Sequence, residues 1–232
     1  MSILKQQLEY YRARAAEYDQ WFNRQGRYDR GPTSNQQWRN EVEISRRALR
    51  QFQPNGRVLE IACGTGIWTE ELARLGGSIV ALDAAPEMLE INRRRNAGRN
   101  VEFLQANIFD WVPQEQFDVV FFGFWLSHVP DEMFETFWDI IRSVLRPKGR
   151  VFLIDSLPTP DSRAKNHPVA DESSIRQLRY LNDGRQFEII KRYYQPEALV
   201  ELLRPKNWDA MLGTSGDFFL YGSVFPVAST GT

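Results

Sequence analysis

Residues 58–66 read Val-Leu-Glu-Ile-Ala-Cys-Gly-Thr-Gly, and this stretch decides the fold. An apolar run with the length of a buried strand leads into a turn that carries two glycines, and a helical pattern begins directly after it. Glycine is needed where the backbone takes a positive φ or where a ligand must approach bare main chain. The stretch therefore predicts a strand, a turn and a helix, with room for a ligand at the turn.

The rest of the chain repeats this alternation of strands and helices. The patterns predict strands at 57–62, 78–83, 101–105, 117–124 and 150–155, and helices at 66–75, 86–96 and 130–145. Such spacing is typical of a doubly wound, mostly parallel sheet with right-handed crossovers. Two further strands, at 208–212 and 217–224, have no helix between them. We expect them to close a seven-stranded sheet as an antiparallel C-terminal hairpin.

Two additions flank this α/β core. Helical spacing from Leu4 to Phe22, and a second helix that Ser34 would cap, predict an N-terminal helical segment, which is called the lid below. The turn Asn182-Asp183-Gly184-Arg185 lies between two apolar runs and predicts a β-hairpin cap. We expect a single domain over 1–232, made of the lid (1–54), a ligand-binding core (55–155), the cap insertion (156–195) and the C-terminal part of the sheet (196–232).

Composition limits the partners of the chain. The 232 residues carry 29 Lys and Arg against 30 Asp and Glu, and no segment has the basic surplus typical of nucleic-acid binders. One cysteine, Cys63, allows neither a disulfide framework nor a thiolate metal cluster within the chain, and we expect no metal site. The polar N-terminus and the absence of a long apolar run predict a cytoplasmic protein that does not enter membranes.

Three positions after the strands suit an adenosine. Asp83 ends the second strand about 20 residues after the glycine turn, where a carboxylate can accept both ribose hydroxyls. It could instead cap the next helix. Asn107 could pair with the adenine edge, and Ile108 and Met88 could sandwich the ring. The alternative for these three is a polar loop with core anchors.

Three segments carry a resemblance to a known family: residues 60–66, residues 80–89 (Val-Ala-Leu-Asp-Ala-Ala-Pro-Glu-Met-Leu) and residues 117–120 (Phe-Asp-Val-Val). They resemble the class I methyltransferases that depend on S-adenosylmethionine (SAM), in particular bacterial small-molecule enzymes. The resemblance covers residues 57–155 and implies a Rossmann-like fold. It implies that Ala62, Gly64 and Gly66 line the methionine and ribose side of SAM, that Ala84 and Met88 lie along adenine, and that Phe124 lies beside the methionine. Ala62 stands where the family often has glycine, and Asn107 where it often has aspartate.

The resemblance also directs attention to the lid. In related enzymes an N-terminal helix covers the cofactor, and a tyrosine from it meets the SAM carboxylate. Tyr11 and Tyr18 lie two helical turns apart and could share such a face, or they could pack as core aromatics. His128, just past the fourth strand, is the candidate general base, because histidine titrates near neutrality. It could equally bond to backbone or line the cofactor site.

The cap offers further candidates. Arg176, Arg179, Arg185 and Tyr180 could meet an acidic or aromatic substrate, or they could belong to a solvated hairpin. His167, in the loop before the hairpin, is a weaker candidate for substrate contact.

The sequence thus predicts an enzyme that transfers a methyl group from SAM to an oxygen or nitrogen atom of a small molecule and releases S-adenosylhomocysteine (SAH). Two alternatives stay open: a SAM-binding regulatory protein without catalysis, and an NAD-dependent oxidoreductase. The dinucleotide fingerprint would place a glycine where Thr69 stands. A nucleic-acid substrate is disfavoured because Gly-Phe-Trp-Leu at 123–126 replaces the Asn/Asp-Pro-Pro-aromatic signature of base-methylating enzymes.

Overall fold

The computed structural model describes residues 2–168 and 174–227. A seven-stranded sheet of order β3-β2-β1-β4-β5-β9-β8 forms its centre, and β6 and β7 make a separate two-stranded sheet. The strands are β1 Arg57–Ile61, β2 Ser78–Asp83, β3 Val101–Gln105, β4 Phe117–Gly123, β5 Leu145–Ser156, β6 Arg176–Tyr180, β7 Gln186–Ile190, β8 Trp208–Thr214 and β9 Phe219–Pro226. The helices are α1 Ile3–Arg14, α2 Tyr18–Phe22, α3 Pro32–Phe52, α4 Ile67–Arg74, α5 Pro86–Arg95, α6 Phe134–Val144 and α7 Pro196–Leu203.

The sheet has the predicted Rossmann-like topology. Strands β1 to β5 pair in parallel, and β9 is antiparallel to both β5 and β8. The strand order reverses between β1 and β4, so a crevice opens beyond their carboxyl ends, where open α/β sheets bind ligands. The predicted antiparallel C-terminal hairpin and the β-hairpin cap are both confirmed.

Two apolar layers cover the sheet because successive side chains of a strand point to opposite faces. In β1, Leu59 and Ile61 join the cluster with α6 and α7, whereas Val58 joins the cluster with α3 and α4. In β4, Phe122 and Phe121 divide between the same two clusters. Burial on both faces explains why these strands read as continuous apolar runs.

The N-terminal lid differs in detail from its sequence pattern. The helical stripe predicted through Phe22 is interrupted by a 3-10 turn at Ala15–Glu17, which separates α1 from α2. Helix α3 begins after Gly31, whose φ of 87° and following proline set the start, so the prediction of Ser34 as N-cap is wrong. The hydroxyl of Ser34 donates instead to Asp161 at 2.7 Å and ties α3 to the loop after β5.

The chain from α6 to β5 is also shorter in helix and longer in strand than its pattern predicts. Residues Asp131–Met133 form a 3-10 turn, and α6 ends at Val144. Strand β5 begins at Leu145, and its register with β4 shifts between Phe117 and Val119. This irregularity accommodates Pro147, which cannot donate a ladder hydrogen bond.

Candidate active site

A cavity of about 350 Å³ lies at the reversal point of the sheet, within the roughly 300–1,000 Å³ common for cofactor and ligand pockets. The turns after β1, β2, β3 and β4 form its floor, and α1 covers it. Its lining includes the predicted residues Tyr11, Tyr18, Ala62, Gly64, Asp83, Ala84, Met88, Asn107, Ile108, Phe124 and His128. Gly66 is not part of this lining; a side chain there would collide with Asn92, so its glycine serves the turn.

The backbone beyond β1 and β4 is held in an uncommon conformation. Ala62 has a φ of 52° and Phe124 a φ of 59°, both in the left-handed region that side chains disfavour by about 1–2 kcal/mol. Such outliers gather at ligand sites. The conformation of Ala62 also explains why glycine suits this position in related enzymes. At Gly64 a Cβ atom would meet nothing within 4 Å, so the cavity reaches the bare backbone there.

Asp83 joins two elements of the floor. Its two carboxylate oxygens accept the backbone N–H groups of Gly64 and Ala85, each at 2.8 Å. Burial raises the pKa of Asp83 to about 6, although these bonds lower it. Each oxygen keeps further lone-pair capacity toward the cavity. The carboxylate therefore steadies the turn and remains available to hydroxyl donors.

Asn107 is occupied by its own turn. Its Nδ2 donates to Asp110 at 2.7 Å, and its Oδ1 accepts the N–H of Phe109 at 3.2 Å. These bonds favour the interpretation of a polar turn over direct pairing with an adenine edge, which stays a prediction. Ile108 and Met88 are both buried at the cavity.

Glu60 supplies an acid that the strand pattern did not assign to a role. It is 1% exposed on β1, and burial raises its pKa to about 8. Its Oε2 has no partner among the described residues. Together with Tyr18, Ala62, Gly64 and Phe124 it lines a narrow branch of about 20 Å³ beside the main cavity. A buried, unpartnered carboxyl oxygen fits an ammonium group in that branch.

His128 connects the lid, the cap and the cavity. Its Nδ1 lies 2.5 Å from the carbonyl of Ile190, and since a carbonyl only accepts, Nδ1 carries the proton. Nε2 is therefore the acceptor for the Tyr11 hydroxyl at 2.8 Å. Burial, and next the charge of Lys191, hold the pKa of His128 well below its usual value. The imidazole is neutral at pH 7, bonded to backbone and facing the cavity at once.

Aromatic rings form the wall next to His128. The centroids of Tyr11 and Tyr18 lie 6.4 Å apart, and those of Trp21 and Phe124 lie 4.8 Å apart. The π faces of such rings attract cations. This wall suits a ligand that carries a positive charge near the junction of α1, α2 and β4.

Polar contacts fasten the lid over the glycine turn. Thr65 donates to Asp19 of α2 at 2.6 Å, and Arg95 at the end of α5 bonds both Asp19 and the carbonyl of Thr65. Gln7 of α1 donates to the carbonyl of His128 at 3.1 Å and accepts the N–H of Ile190. The lid thus depends on the turn, the cap and the segment after β4.

Among the described ranges, no group of three His, Cys, Asp or Glu side chains is arranged to hold a metal ion. In the same ranges, no helix has the length and apolar character that crossing a bilayer requires.

Comparison with known proteins agrees with this geometry. A sequence model described as "Methyltransferase domain" matches residues 58–149. The structure of DhpI in complex with SAH is 36% identical, covers 97% of each chain and superposes with a TM-score of 0.77. A second DhpI structure, with SAM and HEP, is 35% identical, covers 97% of this chain and 98% of its own, and gives a TM-score of 0.78.

Curated relatives match a shorter part of the chain. The ubiquinone biosynthesis O-methyltransferase of Xanthomonas campestris pv. campestris (strain B100) is 34% identical over 128 residues, or 52% of either protein. The demethylmenaquinone methyltransferase of Lactococcus lactis subsp. lactis (strain IL1403) is 38% identical over 107 residues, 43% of this chain and 41% of its own. The match thus spans about half the length of these relatives or less.

Both full-length neighbours are complexes with SAH or SAM, and this disfavours the dinucleotide alternative. The chain belongs to the class I SAM-dependent methyltransferases.

Proposed function

We propose that the protein methylates an oxygen or nitrogen atom of a small molecule at the junction between its SAM cavity and a second cavity. The observation that carries this proposal is the wall that the two cavities share. Tyr11, Tyr18, Phe124 and His128 line both of them. An acceptor in the second cavity therefore meets the donor where the aromatic wall and the imidazole converge.

The residues of the first cavity fit SAM. Asp83 would accept the ribose hydroxyls, Met88 and Ile108 would enclose the adenine, and Glu60 would receive the ammonium group in its narrow branch. SAM supplies an electrophilic methyl group on a sulfonium, so the protein has mainly to align donor and acceptor. Alignment alone is worth up to about 7–11 kcal/mol.

Tyr11 and His128 would together remove the proton of the acceptor atom. As the acceptor atom bonds to the methyl carbon, the carbon–sulfur bond breaks and its electron pair stays on sulfur. The acceptor's proton passes to the Tyr11 oxygen while the Tyr11 proton moves to Nε2 of His128, along the existing 2.8 Å hydrogen bond. The proton later leaves to solvent, which restores the neutral imidazole.

The test uses SAM labelled in its methyl group and a fractionated extract of small molecules. We expect label to move into a low-mass product in the wild type. Asp83→Ala should weaken SAH binding at least tenfold by calorimetry, because it loses the ribose acceptor and leaves the N–H groups of Gly64 and Ala85 without their partner.

Asp209→Ala, an exposed change on β8, serves as the matched control and should leave SAH binding unchanged. Label that stays on SAM, or that enters only macromolecules, would contradict the proposal. Unaltered SAH affinity in Asp83→Ala would refute the ribose assignment alone.

A further inference from the structure

The second cavity is small and lies between the lid, the cap and the loop after β5. Its volume is about 60 Å³, while a single water needs only about 10–15 Å³ of such space. Beyond the shared wall its basic lining consists of Arg14 from α1, Arg163 and His167 from the loop, Arg179 from β6 and Lys191 after β7. This lining contains no carboxylate from the described residues.

Three of these cations are buried. Arg14, Arg179 and Lys191 are each 8% exposed, and burying a charge without a counter-ion is unfavourable by several kcal/mol. Lys191 is compensated, because its Nζ lies 3.3 Å from Asp155 and donates to Ser127 at 2.7 Å. One of the three buried charges thus has a counter-ion at hand.

The two arginines bond only to neutral groups within the part of the chain that the structure describes. Arg14 donates from Nη2 to the Tyr28 hydroxyl at 3.2 Å, and its buried Nε has no partner there. Arg179 donates to the Gln177 side chain and to the Leu178 carbonyl. Their N–H groups keep capacity that a planar or tetrahedral oxyanion would use.

The two histidines of the cavity respond to this positive charge. Burial, and next the charge of Arg179, lower the pKa of His167 to about 3. The Nδ1 of His167 is also buried without a partner among the described residues. Because Nε2 of His167 lies 3.4 Å from the carbonyl of Tyr180, the neutral ring keeps Nδ1 as an acceptor, which would receive a hydroxyl or amino proton of the same ligand.

We propose that this cavity binds the anionic end of a small acidic acceptor, a carboxylate or a phosphorus oxyanion, between Arg14 and Arg179. This inference rests on the proposed function and adds the chemical class of the substrate. Anchoring of the anion places a neighbouring hydroxyl or amino group at Tyr11 and His128. The volume leaves room for an anion of a few heavy atoms and excludes large polyanions such as nucleic acid.

The test measures binding of inorganic phosphate and of acetate to the full chain saturated with SAH, by calorimetry and by shift of the melting temperature. We expect saturable binding of at least one of the two anions. The anion that binds more tightly indicates whether the substrate carries a carboxylate or a phosphorus oxyanion. Arg179→Gln and Arg14→Gln should each weaken that binding at least tenfold while SAH affinity stays within about threefold. Arg179→Lys should recover part of it, since it keeps the charge without the fork.

Arg176→Gln is the matched control. Arg176 lies on the same strand but on the opposite, exposed face, where it pairs with Glu188 at 3.4 Å, so anion binding should not change. If the wild type binds SAH but neither phosphate nor acetate, this inference is overturned and the proposed function stands. If the wild type does not bind SAH, the proposed function itself is overturned. Equal anion binding by the wild type and both variants would show attachment elsewhere on the surface.

Discussion

The hydroxyl of Tyr11 donates to Nε2 of His128 at 2.8 Å, although the two residues lie 117 positions apart in the chain. The carbonyl of Ile190 fixes the tautomer from the other side of the ring. The lid therefore contributes a proton-carrying group to the segment after β4, and the cap sets which nitrogen is free. Lid, cap and core meet at one imidazole, so the candidate catalytic pair depends on contacts from all three parts of the fold.

His128→Gln and Tyr11→Phe should each lower kcat about 10²–10⁴-fold, the usual range for a positioned acid–base group. If the two act as one relay, the double variant should be about as slow as the slower single variant. The measurement is label transfer to the small-molecule fraction that the wild type methylates. SAH affinity, measured for each variant, separates a loss of proton transfer from a loss of cofactor binding. Multiplied losses in the double variant would separate the two residues and refute the relay.

The pH dependence of this step follows from the charges that face His128. Burial is the largest cause that lowers the pKa of His128 well below 6.5. The positive charges of Lys191 and Arg179 in the cap and of Arg14 in the lid lower it further. A base must be unprotonated, so activity is lost only as pH falls through this lowered pKa. At saturating SAM we expect kcat/KM to stay level from pH 8 to about 6.5 and to decline further down. A decline centred above 6.5 would contradict the assignment.

The sequence predicted the sheet well where glycine and proline mark the ends of elements. Strands β2 and β3 have the bounds that their patterns predict. Helix α1 ends early, because Arg14 is buried against aromatic rings and the chain turns at Ala15–Glu17. No local pattern signals this turn, since it depends on packing against the distant cap.

The sequence predicted only part of the basic lining of the second cavity. Alternation predicts that Arg176 and Arg179 face opposite sides of β6, but which side is buried depends on how α1 packs on β7. The structure buries Arg179 and exposes Arg176 and Arg185, which pair with nearby acids. Arg14 could have been found, because it lies three residues after Tyr11 and four before Tyr18, on the same helical face.

Glu60→Gln should change stability in a pH-dependent way. Burial raises the pKa of Glu60 to about 8, above its unfolded value of about 4.3. The protonated acid is favoured in the native state, so its stabilisation is complete below the unfolded pKa and is lost as pH rises through 8. Without ligand, the free energy of unfolding of the wild type should fall by a few kcal/mol relative to that of Glu60→Gln between pH 4.5 and 8.5.

Urea unfolding at the two pH values measures this difference. Near pH 4.5 the two proteins should unfold alike, and at pH 8.5 the variant should be the more stable. SAH should stabilise the variant less than the wild type, because glutamine cannot supply the negative charge that would pair with the ammonium group. A variant that is less stable than the wild type at pH 8.5 would contradict the raised pKa of the buried Glu60 carboxyl.

Asp19 gives the last prediction, because it holds the lid to the cofactor turn. It accepts from Thr65 at 2.6 Å and pairs with Arg95, whose guanidinium also bonds the Thr65 carbonyl. Asp19→Asn should loosen α1 and α2, weaken SAH binding several-fold and expose the lid to limited proteolysis. Glu90→Gln is the control, since it removes only an exposed pair with Arg94 on the same helix as Arg95. Equally slow proteolysis of both variants, with unchanged SAH affinity, would contradict this prediction. It would show that the apolar contacts of Tyr11 and Tyr18 hold the lid in place without the contacts of Asp19 with Thr65 and Arg95.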